Sequence, residues 1–149
     1  MQKTSIDLLL DLKSRSKNIA SVSSKDTALT AAKMLKKQNV GILVVIDKNK
    51  LVGVISERDI VQRWVATDKL TKELLVSEIM SKPVEVISAD DTIFDCYLRF
   101  VARNCRHLPI VDPMGSVIGV LSLRDVAHYV VSQLSQKKVK KKVKTRKRK

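Results

Sequence analysis

Two short segments carry the residue types that could do chemistry: Ser56-Glu57-Arg58-Asp59 and Ser122-Leu123-Arg124-Asp125, each beginning three residues after a glycine, Gly53 or Gly119. In each, the serine stands where an apolar β-type run hands over to a helical one. Free backbone N–H groups and the positive end of the helix dipole therefore face whatever approaches, which suits phosphate. The serine hydroxyl can donate to the same phosphate oxygen. The aspartate three residues on falls one turn into the helix on the same face, and Arg58 or Arg124 can add charge-assisted contacts to phosphate. The same Ser-x-x-Asp spacing is also close to that of a helix capping box, in which the two side chains satisfy the first turn. The two uses are compatible, and the motif alone does not choose between them.

Other candidates are weaker. His107 has no carboxylate or cysteine at a ligand-like spacing, so it reads as a packed or phosphate-facing histidine. His128 falls in the last helix and reads as surface. Cys96, Cys105, His107 and His128 fit no closed zinc site, and Cys96 lies on an apolar helix face where core is the default. No Ser/His/Asp or Cys/His set has an orienting partner, so the chain reads as a non-enzyme with no metal and no classical cofactor. Residues 137–149 hold ten Lys or Arg and no acid. Such a run is self-repelling and expected to be disordered when free. Three readings stay open for it: a solvated tail, a phosphate-binding arm for DNA or RNA through Lys140, Lys141, Lys142, Lys144, Arg146, Lys147 and Arg148, and behind these, for want of aromatic or bulky apolar anchors, an anionic membrane surface.

The elements that position these residues come from a duplication, found by comparing the chain with itself. A shift of 65 places Ser23, Asp26, Thr27, Asn39, Leu43 and Asp47 on Ser88, Asp91, Thr92, Asn104, Leu108 and Asp112. One extra residue near Met114 and Gly115 makes the shift 66, and Gly53, Val54, Ser56, Arg58 and Asp59 then fall on Gly119, Val120, Ser122, Arg124 and Asp125. Asp26-Thr27 and Asp91-Thr92 are helix starts. Behind them Ala28, Ala31, Ala32 and Leu35, and again Ile93, Cys96, Tyr97 and Phe100, recur at helical spacing. Two β-branched runs follow in each half, 42–46 and 51–55, then 108–111 and 117–121, and a second helix closes each. Short strands at 19–22 and 84–87 precede them. The fold class is α/β (α+β), with two β-α-β-β-α units packed face to face because about 60 residues bury too little alone. The divisions are 1–14 as a helical lead-in, 15–68 and 83–136 as repeats, 69–82 as a linker helix, and 137–149 as a basic tail.

Composition narrows the class. The 149 residues are 44% hydrophobic and 30% charged, which is globular composition. The net charge is +14, and removing the ten tail cations leaves +4 for residues 1–136. No run approaches the roughly 18 apolar residues of a membrane span, and Asp7 and Asp11 break the apolar start too early for a secretory signal. Two cysteines make no disulfide scaffold, so the expected compartment is a reducing cytoplasm. Four glycines write neither GxGxxG nor a P-loop. One Trp, two Tyr and two Phe are too few for a base-stacking platform.

The run Gly41-Ile42-Leu43-Val44-Val45-Ile46-Asp47 with Leu51-Val52-Gly53-Val54-Ile55-Ser56-Glu57-Arg58-Asp59 resembles a CBS domain. Arg106-His107-Leu108-Pro109-Ile110-Val111-Asp112 through Gly119-Val120-Leu121-Ser122-Leu123-Arg124-Asp125 is the closer match. Together they resemble a tandem CBS pair, a Bateman module, over roughly residues 15–135. The resemblance implies a stand-alone regulatory sensor. Its two repeats would form a pseudo-twofold pair with clefts that bind AMP, ADP, ATP or S-adenosylmethionine, and pairs of this kind commonly form homodimers. It gives Asp59 and Asp125 the ribose hydroxyls. It sets Ile19 or Ala20 and Val84 or Val86 beside adenine, and Arg106 and His107 near the phosphates of a second-repeat ligand. The first-repeat site offers less positive charge, because Gly41-Ile42 stands where the second repeat has Arg106-His107, so one working cleft is expected. The rival reading is a nucleic-acid-associated protein that acts through the tail, with the repeats as dimerising scaffold.

Overall fold

The computed structural model describes residues 19–67 and 72–146, and side chains as far as residue 135. The lead-in of residues 1–14, part of the linker, and Lys147 and Arg148 of the proposed arm lie outside the described residues, as do the tail side chains. The first repeat runs β1 (Ser21–Val22), α1 (Ala28–Gln38), β2 (Ile42–Asp47), β3 (Lys50–Ser56) and α2 (Glu57–Asp59). A π-helical turn (Ile60–Trp64) and a 3-10 turn (Val65–Thr67) continue α2, where one regular helix is expected from the apolar spacing. A linker helix α3 (Val76–Ile79) leads to the second repeat: β4 (Ile87–Ser88), α4 (Ile93–Arg103), β5 (His107–Val111), β6 (Val117–Ser122) and α5 (Leu123–Arg146).

Each repeat builds one three-stranded sheet, with order β1-β2-β3 in the first and β4-β5-β6 in the second. The first strand of each pairs parallel and the hairpin pairs antiparallel, in equivalent registers such as Ile42 with Ser56 and His107 with Ser122. The mixed α/β architecture agrees with the sequence reading, and the local chemistry explains it. Thr27 and Thr92 cap α1 and α4, accepting from Thr30 N and Asp95 N at 3.1 Å each. Asn39 and Asn104 end the same helices in left-handed conformation, φ 53° and 47°, and their N–H groups return to carbonyls of the last turn. The first hairpin turns through Lys48 and Asn49, both at positive φ. The second uses its one extra residue in a turn where Asp112 Oδ1 accepts from Met114 N and Ser116 N and Gly115 takes φ 83°.

Two cores result. In the first, Leu43, Val45 and Ile55 meet Ala28, Ala31 and Leu35 of α1, and Leu74, Val76, Ile79 and Met80 of the linker close the cluster. The segment before the second repeat thus completes the first one. The second core joins Ile87, Leu108, Ile110 and Leu121 to Cys96 and Phe100 of α4 and Val126 of α5. The opposite faces of β2 and β5 are buried as well, at Ile42, Val44 and Pro109.

Burial pushes the Cys96 thiol up to about 11, with Asp91 adding to the shift. A thiol whose pKa is raised by folding contributes its stability below its ordinary value near 9.0 and loses it as pH rises toward 11. Cys96 should therefore resist alkylation at pH 8 in the native protein, and unfolding midpoints should fall above pH 9. Mass spectrometry of native and urea-denatured protein after iodoacetamide treatment checks the first point.

One departure concerns the C-terminus. α5 runs on to Arg146, so the backbone of residues 137–146 is helical where the sequence reading expects disorder. Lys and Arg are good helix formers, and no Gly or Pro follows Gly119 to interrupt them.

Candidate functional site

The ends of β3 and β5 bring residues of both repeats to one cleft of about 810 Å³. The Ser56-Glu57-Arg58-Asp59 turn forms one wall. Arg106 and His107, with Leu108 and Pro109, form the facing wall, and Val84 and Glu85 lie at the entry to the second repeat. Gly41 sits at the seam between repeats: a methyl group there would lie 2.9 Å from His107 Cε1, so glycine is what admits the imidazole. Across the same seam Arg58 Nη1 donates to the Asn104 carbonyl at 2.8 Å.

At the first-repeat motif the capping reading is realised in full. Ser56 N and Ser56 Oγ donate to Asp59 Oδ2 at 2.8 and 2.7 Å, and Asp59 N donates to Ser56 Oγ at 3.3 Å. Glu57 N donates to the Gly41 carbonyl at 3.1 Å. The Ser56 hydroxyl and these three N–H groups are therefore engaged inside the protein, which corrects the expectation that they face a phosphate. Positive charge at the cleft comes instead from side chains.

Asp59 is 7% exposed. Its second oxygen, Oδ1, accepts from Ser81 Oγ at 3.0 Å and lies 3.5 Å from Arg63 Nη1. Arg63 also donates to the carbonyls of Ile79 and Met80 at 3.1 and 3.0 Å. A carboxylate offers about four acceptor sites, and of those taken here the 3.5 Å Arg63 contact is the longest, so a hydroxyl donated to Oδ1 would compete with Arg63 rather than with the cap. Arg103, also at the cleft, is paired with Glu85 at 3.0 Å. Cys105 lines the cleft too, and burial raises its thiol above the ordinary range.

The predicted residues divide accordingly. Ser56, Arg58, Asp59, Val84, Arg106 and His107 come together around this cleft. Arg106 and His107 thus lie opposite the first-repeat motif, whereas the sequence reading attached them to a second-repeat ligand. Ser122, Arg124 and Asp125 do not line it. Ser122 and Asp125 form the equivalent cap, with Ser122 N donating to Asp125 Oδ2 at 2.7 Å. Ala20 packs on the first core, and Ile19 does not line the cleft. The Val86 carbonyl accepts from Arg99 at 2.6 Å, and Val86 does not line it either.

Sequence reasoning missed Ser81, Arg63 and the Arg103–Glu85 pair. Arg63 stands four residues after Asp59, an ordinary helical pairing distance. Ser81-Lys82 follows Ser16-Lys17 by the same 65 residues as the rest of the duplication. Both signals were on the chain. The Arg103–Glu85 contact joins two elements 18 residues apart and left none.

Two homologous α/β repeats that close a shared cleft define the class: a tandem repeat module with a ligand-sized seam. The family model for the CBS domain matches residues 11–65 and 76–132, and the chain belongs to that family. It is 38% identical over 102 residues to an uncharacterized 17.7 kDa protein of Acidianus ambivalens, covering 68% of this chain and 60% of that one. With an uncharacterized protein of Methanopyrus kandleri it shares 28% identity over 80% of this chain and 63% of that one, so the chain spans about three-fifths of these relatives. Among solved structures it is similar to a putative signal-transduction protein with CBS domains from Burkholderia ambifaria, at TM-score 0.79 and 27% identity, covering 84% and 92% of the two chains. It is similar to the CBS domain protein PAE2072 of Pyrobaculum aerophilum complexed with AMP, at TM-score 0.65 and 30% identity, covering 71% and 81%. It is also similar to the CBS domain pair of protein MJ0100 in complex with 5'-methylthioadenosine and S-adenosyl-L-methionine, at TM-score 0.71 and 27% identity, covering 79% and 92%.

Proposed function

We propose that this chain is a non-enzymatic regulatory module that binds an adenosine-containing ligand in the cleft between its repeats. The observation that carries the reading is the meeting of Ser56-Glu57-Arg58-Asp59 with Arg106-His107 around one cleft of about 810 Å³. That size falls within the roughly 300–1,000 Å³ of small-molecule sites. Similar structures that hold AMP or S-adenosylmethionine support it.

In this reading the ribose hydroxyls bind Asp59 Oδ1, and adenine lies against Val84 and the apolar wall of Ile42 and Pro109. A phosphate is met by Arg106 and Arg58. Engaging Arg58 draws it from the Asn104 carbonyl, the hydrogen bond that ties the two repeats together here. A ligand shifts the packing of the repeats only as far as it binds one arrangement better than the other. Two guanidinium groups at one end favour a phosphate over the sulfonium of S-adenosylmethionine. In this reading the module acts in a reducing cytoplasm, as its two cysteines suggest, and regulates a partner protein. Among the described residues no helix is long and apolar enough to cross a membrane, and no group of His, Cys, Asp or Glu is arranged to hold a metal.

The test is thermal unfolding of the whole chain with AMP, ADP, ATP and S-adenosylmethionine. A ligand at about 100 times its dissociation constant adds roughly 2.7 kcal/mol, a rise of several degrees for a protein of this size. At least one phosphate-bearing ligand should give that rise. No shift with any of the four at millimolar concentration would overturn the reading. A second reading rests on the ten cations of residues 137–149, which would hold DNA or RNA by neutralising phosphates. It predicts an affinity that falls linearly on log–log axes with added salt and is lost on cutting after Gln136.

A further inference from the structure

Arg63 holds three groups with one atom. Its Nη1 donates to the carbonyls of Ile79 and Met80 at 3.1 and 3.0 Å and lies 3.5 Å from Asp59 Oδ1. The two carbonyls belong to the end of α3 in the linker, whereas Asp59 lines the cleft. Ser81, the next residue of the linker, donates to the same Oδ1 at 3.0 Å, and its backbone exchanges hydrogen bonds with Val54 of β3. The half-exposed guanidinium is thus held from the linker side over the one carboxylate oxygen that the cap leaves to a ligand. The turn that carries Arg63 is shared between two forms. Val65 N donates to the carbonyls of both Ile60 and Val61, the first bond π-helical and the second α-helical. Beside it Trp64 packs on the first core, with Nε1 buried and without a hydrogen-bond partner among the described residues, a group that ordinarily finds one. The second repeat is built differently: Tyr129 stands at the position of Arg63, and α5 is regular α-helix there.

We infer, resting on the proposed ribose at Asp59, that Arg63 is an internal competitor for that carboxylate, one that holds the linker while the cleft is empty. A ribose hydroxyl and Nη1 seek the same lone pairs of Oδ1, and Ser81 already takes one. The linker contacts sit on that same nitrogen, so Arg63 leaves Asp59 only by loosening its hold on Ile79 and Met80. Occupancy of the cleft is thereby passed to the segment that joins the repeats and closes the first core. A site that is open only part of the time binds with an affinity reduced by the open fraction, so removing the competitor tightens binding. A side chain that touches the ligand, or one that only supports the fold, has the opposite sign, because its loss weakens binding. Charge sharpens the contrast: taking a cation from the cleft by itself lowers the attraction for a phosphate.

Titration of the whole chain with AMP tests this, followed by calorimetry and by the emission of Trp64, the one tryptophan of the sequence. Arg63→Met should bind AMP about tenfold more tightly than the wild type, the gain from a site that Arg63 leaves about one-tenth open. Trp64 does not line the cleft, so its emission reports the turn rather than the ligand. AMP should shift that emission in the wild type, and free Arg63→Met should already show the shifted spectrum. If Arg63→Met fails to fold, Arg63→Gln keeps an amide donor for the linker carbonyls and should still tighten binding by roughly threefold or more. Equal or weaker AMP binding by the folded variant, or a wild-type emission that AMP leaves unmoved, would overturn the inference and leave the ligand reading standing. No heat from either protein with AMP, ADP, ATP or S-adenosylmethionine would overturn the ligand reading, and the competition with it.

Discussion

Asp59→Ala is expected to abolish the ligand-induced rise in unfolding midpoint, whereas Asp125→Ala leaves that rise in place. Asp59 lines the cleft that Arg106 and His107 face, and Asp125 does not. The substitution also breaks the cap, because Ser56 N and Ser56 Oγ both donate to Asp59 Oδ2. Losing a capping interaction costs about 0.5–2 kcal/mol, so the free protein should melt a few degrees lower. The two effects separate in Asp59→Asn, whose one amide oxygen can still accept from Ser56 N and Ser56 Oγ while its NH2 faces the Ser81 hydroxyl, which can accept, and the charge opposite Arg63 is lost. That variant should keep most of the stability and lose most of the ligand response. Titration calorimetry of the three variants reads binding directly. An unchanged heat in Asp59→Ala would remove this carboxylate from the site.

The largest loss of stability is expected from Phe100→Ala. Phe100 is 2% exposed in the second core, between α4 and the sheet. Truncating a buried phenylalanine costs about 3–5 kcal/mol, against a total of roughly 5–15 kcal/mol for a domain. The consequence reaches the cleft as well. The substitution keeps the backbone carbonyl of residue 100, which receives the N–H groups of Asn104 and Cys105. It therefore reaches those residues, which with Arg106 form the cleft's second-repeat wall, through a shift of the α4 end toward the space the ring leaves. Chemical denaturation should show a reduced midpoint with little change in slope, and any ligand response that remains should be weaker. A loss below 1 kcal/mol would mean that the site collapses around the missing ring.

Much of the architecture could be read from the chain because the duplication reports the same decision twice. Thr27 and Thr92 were legible as helix starts, Asn39 and Asn104 stand at equivalent ends, and the extra residue at the second hairpin falls in a turn that has room for it. What periodicity does not carry is which repeat faces which. Arg106 and His107 sit in sequence beside the second sheet, yet β5 delivers them to the first-repeat motif across the seam that Gly41 leaves open. The competition within Ser56-x-x-Asp59 was equally invisible. A serine and aspartate at this spacing can cap, bind or do both, and only distances show that the Ser56 hydroxyl is already engaged. The single regular helix expected after Asp59 gives way to a π-helical turn over Ile60–Trp64. Apolar spacing at Ile60, Val61, Trp64 and Val65 is too tolerant to distinguish the two. The basic segment was read for its repulsion, whereas the intrinsic helix preference of Lys and Arg carries α5 through Arg146.

The central claim is that an adenosine-containing ligand sits between the repeats, on Asp59 and between Arg58 and Arg106. A crystal structure of the whole chain grown with AMP tests it most directly. The account predicts ribose hydroxyls at Asp59 Oδ1, phosphate at the guanidinium groups of Arg58 and Arg106, and Arg63 moved from its 3.5 Å contact with Asp59. AMP bound only at Ser122–Asp125, or a cleft that stays empty at saturating AMP, would contradict it.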